Sequence, residues 1–190
     1  PRKGKQGGAW TTSYSPQYKE GNKNVRPTVG VVMNLTKPTA ERPSLLTLGE
    51  VTTFLHEFGH ALHGIFANTT YRSLSGTSVY WDFVELPSQF MENFAIEKEF
   101  LSKFAVHYKT GEALPEELIG KIVKSRNYNV AYATIRQVSF GLIDMALHSV
   151  TKPLCGNLMK VERDSVSKVN LLPEVKGTGQ TVHFGHIMDG

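Results

Sequence analysis

Cysteine is almost missing from this chain, Cys155 being the only one. A single thiol excludes an internal disulfide framework and any zinc site built from paired cysteines, and it points to the reducing cytoplasm as the compartment. Long apolar runs are missing too. Nothing approaches the ~18 consecutive apolar residues of a membrane span, and the first thirty residues are polar and glycine-rich, without the apolar segment of a secretory signal. Zinc-finger spacing, a basic helix and internal repeats are likewise absent. The formal charge of +4 and the pI near 9.1 therefore read as a mildly basic solvated surface, not a nucleic-acid face, with the excess concentrated in Arg2, Lys3 and Lys5.

What is present is enough for one ordinary domain, or part of a larger one: 190 residues with 40% hydrophobic content. Residues 1–27 hold Gly4, Gly7, Gly8, Gly21, Pro16 and Pro27 with little periodicity and read as irregular structure. From Thr28 to Leu35, Val29, Val31 and Met33 alternate with Gly30, Val32 and Asn34, the pattern of a strand with an edge open to pairing. Residues 1–46 are thus expected to be loop and strand, 47–150 helical, and 151–190 irregular, with Gly177, Gly179, Gly185 and Gly190 in a mobile tail. The fold class that follows is mainly α with a small β-sheet.

The helical part opens on Thr47-Leu48-Gly49-Glu50, a capping box in which the threonine caps the first turn and the glutamate reaches back. Leu48, Val51, Phe54, Leu55, Phe58, Leu62 and Ile65 then recur at helical spacing, which predicts a helix from about Leu48 to about Ala67. Asn68 to Tyr80 is a loop by composition. A second helix is expected to begin between Asp82 and Glu85, with Pro87 in its first turn, and to run to about Phe104. A third opens at Pro115-Glu116-Glu117 with a break near Asn127, and a fourth covers Ala133 to Val150.

Inside the first helix stands His56-Glu57-Phe58-Gly59-His60. Residues four apart share a helical face about one turn, or ~6 Å, apart along the axis, so both imidazoles can converge on one ion. Glu57 is rotated by ~100° from His56 and is poorly placed to be a ligand, yet it can face a water on that ion. Zinc lowers the pKa of bound water toward ~7, and a carboxylate can then take its proton. The pattern reads as a catalytic zinc site with Glu57 as the base.

Such a site needs a third protein ligand and one open position. His63 shares the face but lies ~10 Å along the axis from His56, too far to bind the same ion without distortion. The place of a third histidine in an extended motif, position 66, is Phe66, which removes the metzincin arrangement. A carboxylate from the following helix is the expected ligand, with Asp82, Glu85 and Glu92 as candidates. Spacing alone does not choose. Glu85 and Glu92 are seven apart and share a face, so one can bind metal while the other supports a ligand histidine, and Asp82 can cap the helix instead.

Read together, HEFGHALHG from His56 to Gly64, SGT from Ser75 to Thr77 and DFVELPSQ from Asp82 to Gln89 resemble the thimet oligopeptidase family, most closely its bacterial peptidyl-dipeptidases. The resemblance runs from Gly7-Gly8-Ala9-Trp10 to His186, over nearly the whole chain. It implies one Zn2+ held by His56, His60 and Glu85, with Glu57 as catalytic base and Glu92 and Asp82 left as candidates to support the ligands. It also implies a helical body around a deep channel, with a small sheet beside the metal and Thr28 to Leu35 lining the channel. Gly76, in the loop opposite, and His186, in Phe184-Gly185-His186-Ile187-Met188-Asp189-Gly190, would contact substrate.

Tyrosines follow that glycine-rich loop in the family, and a helical half precedes it. The 190 residues are therefore expected to be a catalytic-core fragment, with the remainder of the peptidase chain completing the site. The expected activity is zinc-dependent hydrolysis of short peptides in the cytoplasm with release of C-terminal dipeptides. The alternatives are internal cleavage of oligopeptides and a non-catalytic peptide-binding fragment. Neither nucleic acid nor membrane is an expected partner.

Overall fold

The computed structural model describes residues 4–189; Arg2, Lys3 and Gly190 lie outside the described residues. Helices dominate and strands form two small antiparallel pairs. The chain divides into two compact units, Pro1–Ile122 and Val123–Gly190. Among the described residues no helix is long and apolar enough to cross a membrane.

In the first unit, β1 (Trp10–Ser15) pairs with β4 (Thr28–Val32), Trp10 opposite Val32 and Ser13 opposite Val29, with an irregularity before Ser15. Between them β2 (Tyr18–Glu20) and β3 (Lys23–Val25) form a hairpin on a two-residue turn, Gly21-Asn22. Residues 10–25 are thus not irregular as expected. Their strands are short and polar, and they are held by contacts far along the chain. Gln17, fully buried, donates to Asn24 Oδ1 and the Thr69 carbonyl and accepts from the Thr69 amide at 2.8 Å. Gly21, at φ +59°, supplies the left-handed turn residue, and a Gly-Asn pair between two short runs was the local signal for it.

Helix α1 spans Leu48–Ile65, close to its expected bounds, and its capping box forms. Thr47 Oγ1 accepts from the Glu50 amide at 3.2 Å while Glu50 Oε2 accepts from the Thr47 amide at 2.8 Å. The bond from the Thr47 amide, more than any other cause, holds the Glu50 carboxyl below its ordinary pKa. At the other end Arg26 donates to the carbonyls of Ile65 and Ala67, a cation on the negative end of the helix. The single second helix expected over residues 82–104 is instead a chain of short pieces. These are α2 (Trp81–Val84), α3 (Leu86–Glu92), a 3-10 turn over Asn93–Ile96 and α4 (Lys98–Leu101). Glu85 separates α2 from α3, and Pro87 sits in the first turn of α3 as expected. Leu55, Ala61, Ala95 and Leu101 make the buried apolar centre where α1 meets these pieces.

Helix α5 covers Glu116–Ser125, and the unit boundary falls within it. In the second unit α6 (Val130–His148) follows Asn129, whose φ of 56° makes the break that was expected near Asn127. The stretch from 151 onward is not irregular throughout, because α7 occupies Leu158–Val166 and a single turn, α8, His186–Asp189. Asn157 caps α7 through its side chain, which accepts from the Met159 amide at 3.0 Å. Phe140 stacks on Phe184 at 4.5 Å beside the buried Ile143.

Glu162, on α7, is buried and accepts from the Gln180 amide at 2.8 Å, the Thr181 amide at 2.9 Å and the Thr181 hydroxyl. Burial raises its carboxyl pKa, but the Thr181 and Gln180 donors and nearby Arg163 outweigh that and hold it below the ordinary 4.5. A carboxyl depressed in the folded state contributes stability above its unfolded pKa and loses it as pH falls through the folded value. Glu162→Ala should therefore cost about 3 kcal/mol at neutral pH, since it leaves charge-assisted donors unmet. In urea denaturation the gap between wild type and this variant should be full at neutral pH and shrink below the ordinary carboxylate value of 4.5.

Candidate metal centre

Helix α1 carries both histidines as its period requires. The rings of His56 and His60 stand edge to face, with centroids 4.9 Å apart and planes at 85°. His60 is the more enclosed, its side chain 13% exposed against 26% for His56. The joint between α2 and α3 supplies the third group. Glu85 Oε2 lies 3.2 Å from His56 Nε2 and 3.2 Å from His60 Nε2. Among the described residues His56, His60 and Glu85 form the one His/Cys/Asp/Glu group able to hold a metal ion, with ligand atoms all within 4.8 Å of one another.

The approach of α3 to α1 rests on Gly59. A Cβ there would lie 2.6 Å from the Pro87 carbonyl oxygen and 2.6 Å from Ser88 Cα, so the two backbones touch where any side chain would separate them. One turn further along α3, Glu92 Oε1 reaches His56 Nδ1 at 2.7 Å. Each nitrogen of His56 therefore faces a carboxylate oxygen. A neutral imidazole carries one proton, and the shorter contact assigns it to Nδ1, which donates to Glu92. In that tautomer Nε2 presents its lone pair toward Glu85 Oε2.

Glu57, 7% exposed, is held by a residue of β1. Its Oε2 accepts from the Thr11 hydroxyl at 2.9 Å, and the same hydroxyl lies 2.8 Å from the Glu57 carbonyl. One proton serves one acceptor at a time, so Thr11 tethers Glu57 by either oxygen and fixes β1 to α1. No local pattern reveals Thr11, which is 46 residues away in sequence. Ser88 is the other unforeseen contact: fully buried, it donates to Glu85 Oε2 at 2.6 Å or to the Glu85 carbonyl at 2.9 Å. Its position three residues after Glu85 was a readable sign, because a helical serine can bond back to such a carbonyl. Beside the centre, a cavity of about 230 Å3 is lined by Thr11, Val29, His60, Gly64, Thr77 and Glu85 among others.

Over its whole length, residues 1–190, the chain matches Peptidase family M3. It belongs to that family. It is similar to oligopeptidase A of Escherichia coli K12, 38% identical over 192 residues that cover 100% of this chain and 28% of the relative. It is also similar to the thimet-like oligopeptidase of Dictyostelium discoideum, 39% identical over 194 residues, 100% of this chain and 29% of the relative. Dipeptidyl carboxypeptidase of E. coli K12 is 36% identical over 191 residues, 100% of this chain and 28% of the relative. The chain thus spans under a third of the length of these relatives.

His63, which its distance along the helix axis excludes as a ligand, is outside the group. Its ring packs against Phe83 at 6.2 Å, and burial, helped by the nearby His60, holds its pKa below the ordinary imidazole value. Asp82 lies exposed in the first turn of α2, and among the described residues its side chain makes no hydrogen bond or ion pair. Tyr80 holds the cap position, so Asp82 neither caps nor supports a ligand. Gly76, at φ +60°, packs against α1, where a Cβ would come within 3.1 Å of Gly64 Cα. It also lines the cavity, and among the described residues neither its amide nor its carbonyl is hydrogen-bonded. His186, in the second unit, stands exposed in α8 against Phe184 at 5.4 Å. His60 differs from His56 in that its Nδ1 is buried with no hydrogen-bond partner.

Since the obstruction at Gly59 is backbone, an added methyl forces α3 away from α1. Gly59→Ala should destabilise the chain by about 1–3 kcal/mol, the range for overpacking. Equilibrium unfolding measures this, and a wild-type midpoint would show that the contact has slack.

Proposed function

We propose that this chain carries the catalytic centre of a zinc-dependent peptidase, with His56, His60 and Glu85 as metal ligands and Glu57 as general base. The observation that carries the reading is the pair of imidazole Nε2 atoms converging on one carboxylate oxygen while His56 Nδ1 is engaged by Glu92. In a tetrahedral zinc site with bonds of ~2.0–2.2 Å, two ligand atoms stand about 3.4 Å apart. The 3.2 Å separations from Glu85 Oε2 are close to that. Two nitrogens and one carboxylate leave a coordination position open, as hydrolysis requires and a purely structural ion does not.

Zinc, when bound there, supplies Lewis acidity that acidifies a water and polarises the scissile carbonyl. The protein's own share is proton transfer and placement. When Thr11 donates to Glu57 Oε2, Oε1 is left to take the proton of the attacking water. The same carboxylic acid then delivers that proton to the nitrogen of the leaving amine as the C–N bond breaks. Glu92 keeps His56 in the tautomer whose Nε2 is a lone pair.

Peptides fit the surroundings. Strand β4 is paired on one edge, with β1, so among the described residues its other edge can receive an extended backbone. Gly76 offers an unengaged amide and carbonyl on the cavity wall, and the resemblance to the family makes His186 a further substrate contact. The exposed free thiol of Cys155 is compatible with a cytoplasmic enzyme.

Two outcomes test this reading. Glu57→Gln should retain zinc by metal analysis while losing about 10²–10⁴-fold in peptide turnover, the usual share of general base catalysis. Equal turnover in the variant would remove Glu57 from the role of base, and peptide binding without turnover in the wild type would leave a peptide holder. On an acetylated nonapeptide, mass spectrometry should find successive loss of C-terminal dipeptides. Fragments cut only in the middle would assign internal cleavage instead.

A further inference from the structure

Glu85 is an exposed side chain, 49% accessible, placed at a joint between two short helices. A glutamate so situated has three free torsions and ready access to water, yet its Oε2 is held where both histidines converge. Apart from those histidines, the hydrogen bond on its carboxylate among the described residues comes from Ser88, at 2.6 Å. Ser88 itself has no freedom. It is fully buried, and its backbone is pressed against Gly59 of α1, the residue before His60.

We propose that Ser88 is the positioning residue for Glu85, holding one carboxylate oxygen in register with the two histidines and thereby setting the affinity of the centre for its ion. The inference rests on the metal-centre reading above. The Ser88 hydroxyl has one proton and two acceptors in reach, the Glu85 carbonyl and Oε2. That carbonyl already accepts from the Gln89 amide at 2.9 Å, and the carboxylate is the stronger acceptor and the closer one. The proton therefore goes to Oε2. Donation there occupies one lone pair of Oε2 and leaves the other facing the imidazoles, which removes a rotation that metal binding would otherwise have to freeze.

Supports of this kind are worth about 10–100-fold in metal affinity. Ser88→Ala deletes only the hydroxyl from a packed site, and the metal-free full chain should melt at nearly the wild-type temperature. Zinc affinity, measured by competition with a chromogenic chelator, should fall about 10–100-fold. The same substitution placed in Glu85→Gln should add little further loss, because the hydroxyl acts through the carboxylate. Ser88→Cys, with a weaker donor, should fall between wild type and Ser88→Ala. Unchanged affinity in Ser88→Ala, or a full additional loss in the Glu85→Gln background, overturns the role of Ser88 while the metal centre stands. A wild-type chain that takes up no zinc overturns the centre and this inference together.

Discussion

Backbone meets backbone at Gly59, where α1 lies against the Pro87 carbonyl and the Ser88 Cα. Both carboxylates that reach the histidines are disposed about this contact, Glu85 three residues before Ser88 and Glu92 four after it. Helical geometry puts residues so spaced on the same side of the chain, so one point of contact aims both at α1. A glycine inside the motif is thus a steric condition of the site, whatever it contributes to helix propensity, where it is a cost of about 1 kcal/mol.

How much of this could be read from the chain varies with the range of the forces involved. Helix α1 was legible because its signals are local: Thr47 and Glu50 are three apart, and the apolar stripe repeats every turn. The same locality made His56 and His60 readable as a pair. Choosing among Asp82, Glu85 and Glu92 was beyond spacing, because the local signals predict one continuous helix that the chain does not form. Glu85 stands between α2 and α3 with φ −88° and ψ −4°, and Pro87 begins the new helix. Glu85 Oε2 nevertheless faces Nε2 of both histidines while Glu92 Oε1, seven residues on, reaches His56 Nδ1.

Polar burial explains what was not legible. Helix α7 hides a glutamate, Glu162, on its inner face, so an apolar periodicity fails there although Asn157 marks its start. Strands β1 to β3 are held through Gln17, whose five polar contacts go to Asn24, Thr69 and Ser75. A buried amide of this kind has value only when its partners arrive from elsewhere in the chain, and it would be costly without them. It also ties the β2–β3 hairpin to the loop that carries Gly76, so one wall of the cavity is positioned by hydrogen bonds more than by apolar packing.

The two glutamates of the proposed mechanism differ in how they are held, and that difference matches their separate tasks. Glu85 is drawn inward from an exposed joint by Ser88 and faces both histidines, the posture of a ligand. Glu57 belongs to α1 itself, is nearly buried, and is rotated off the histidine face into reach of Thr11 on β1. A base must not compete for the ion, and the helix guarantees this by turning ~100° between His56 and Glu57. What the helix cannot do is fix the end of a glutamate side chain. That falls to hydroxyls from other parts of the fold, Thr11 for the base and Ser88 for the ligand, which is why the signature motif alone is an incomplete description of the site.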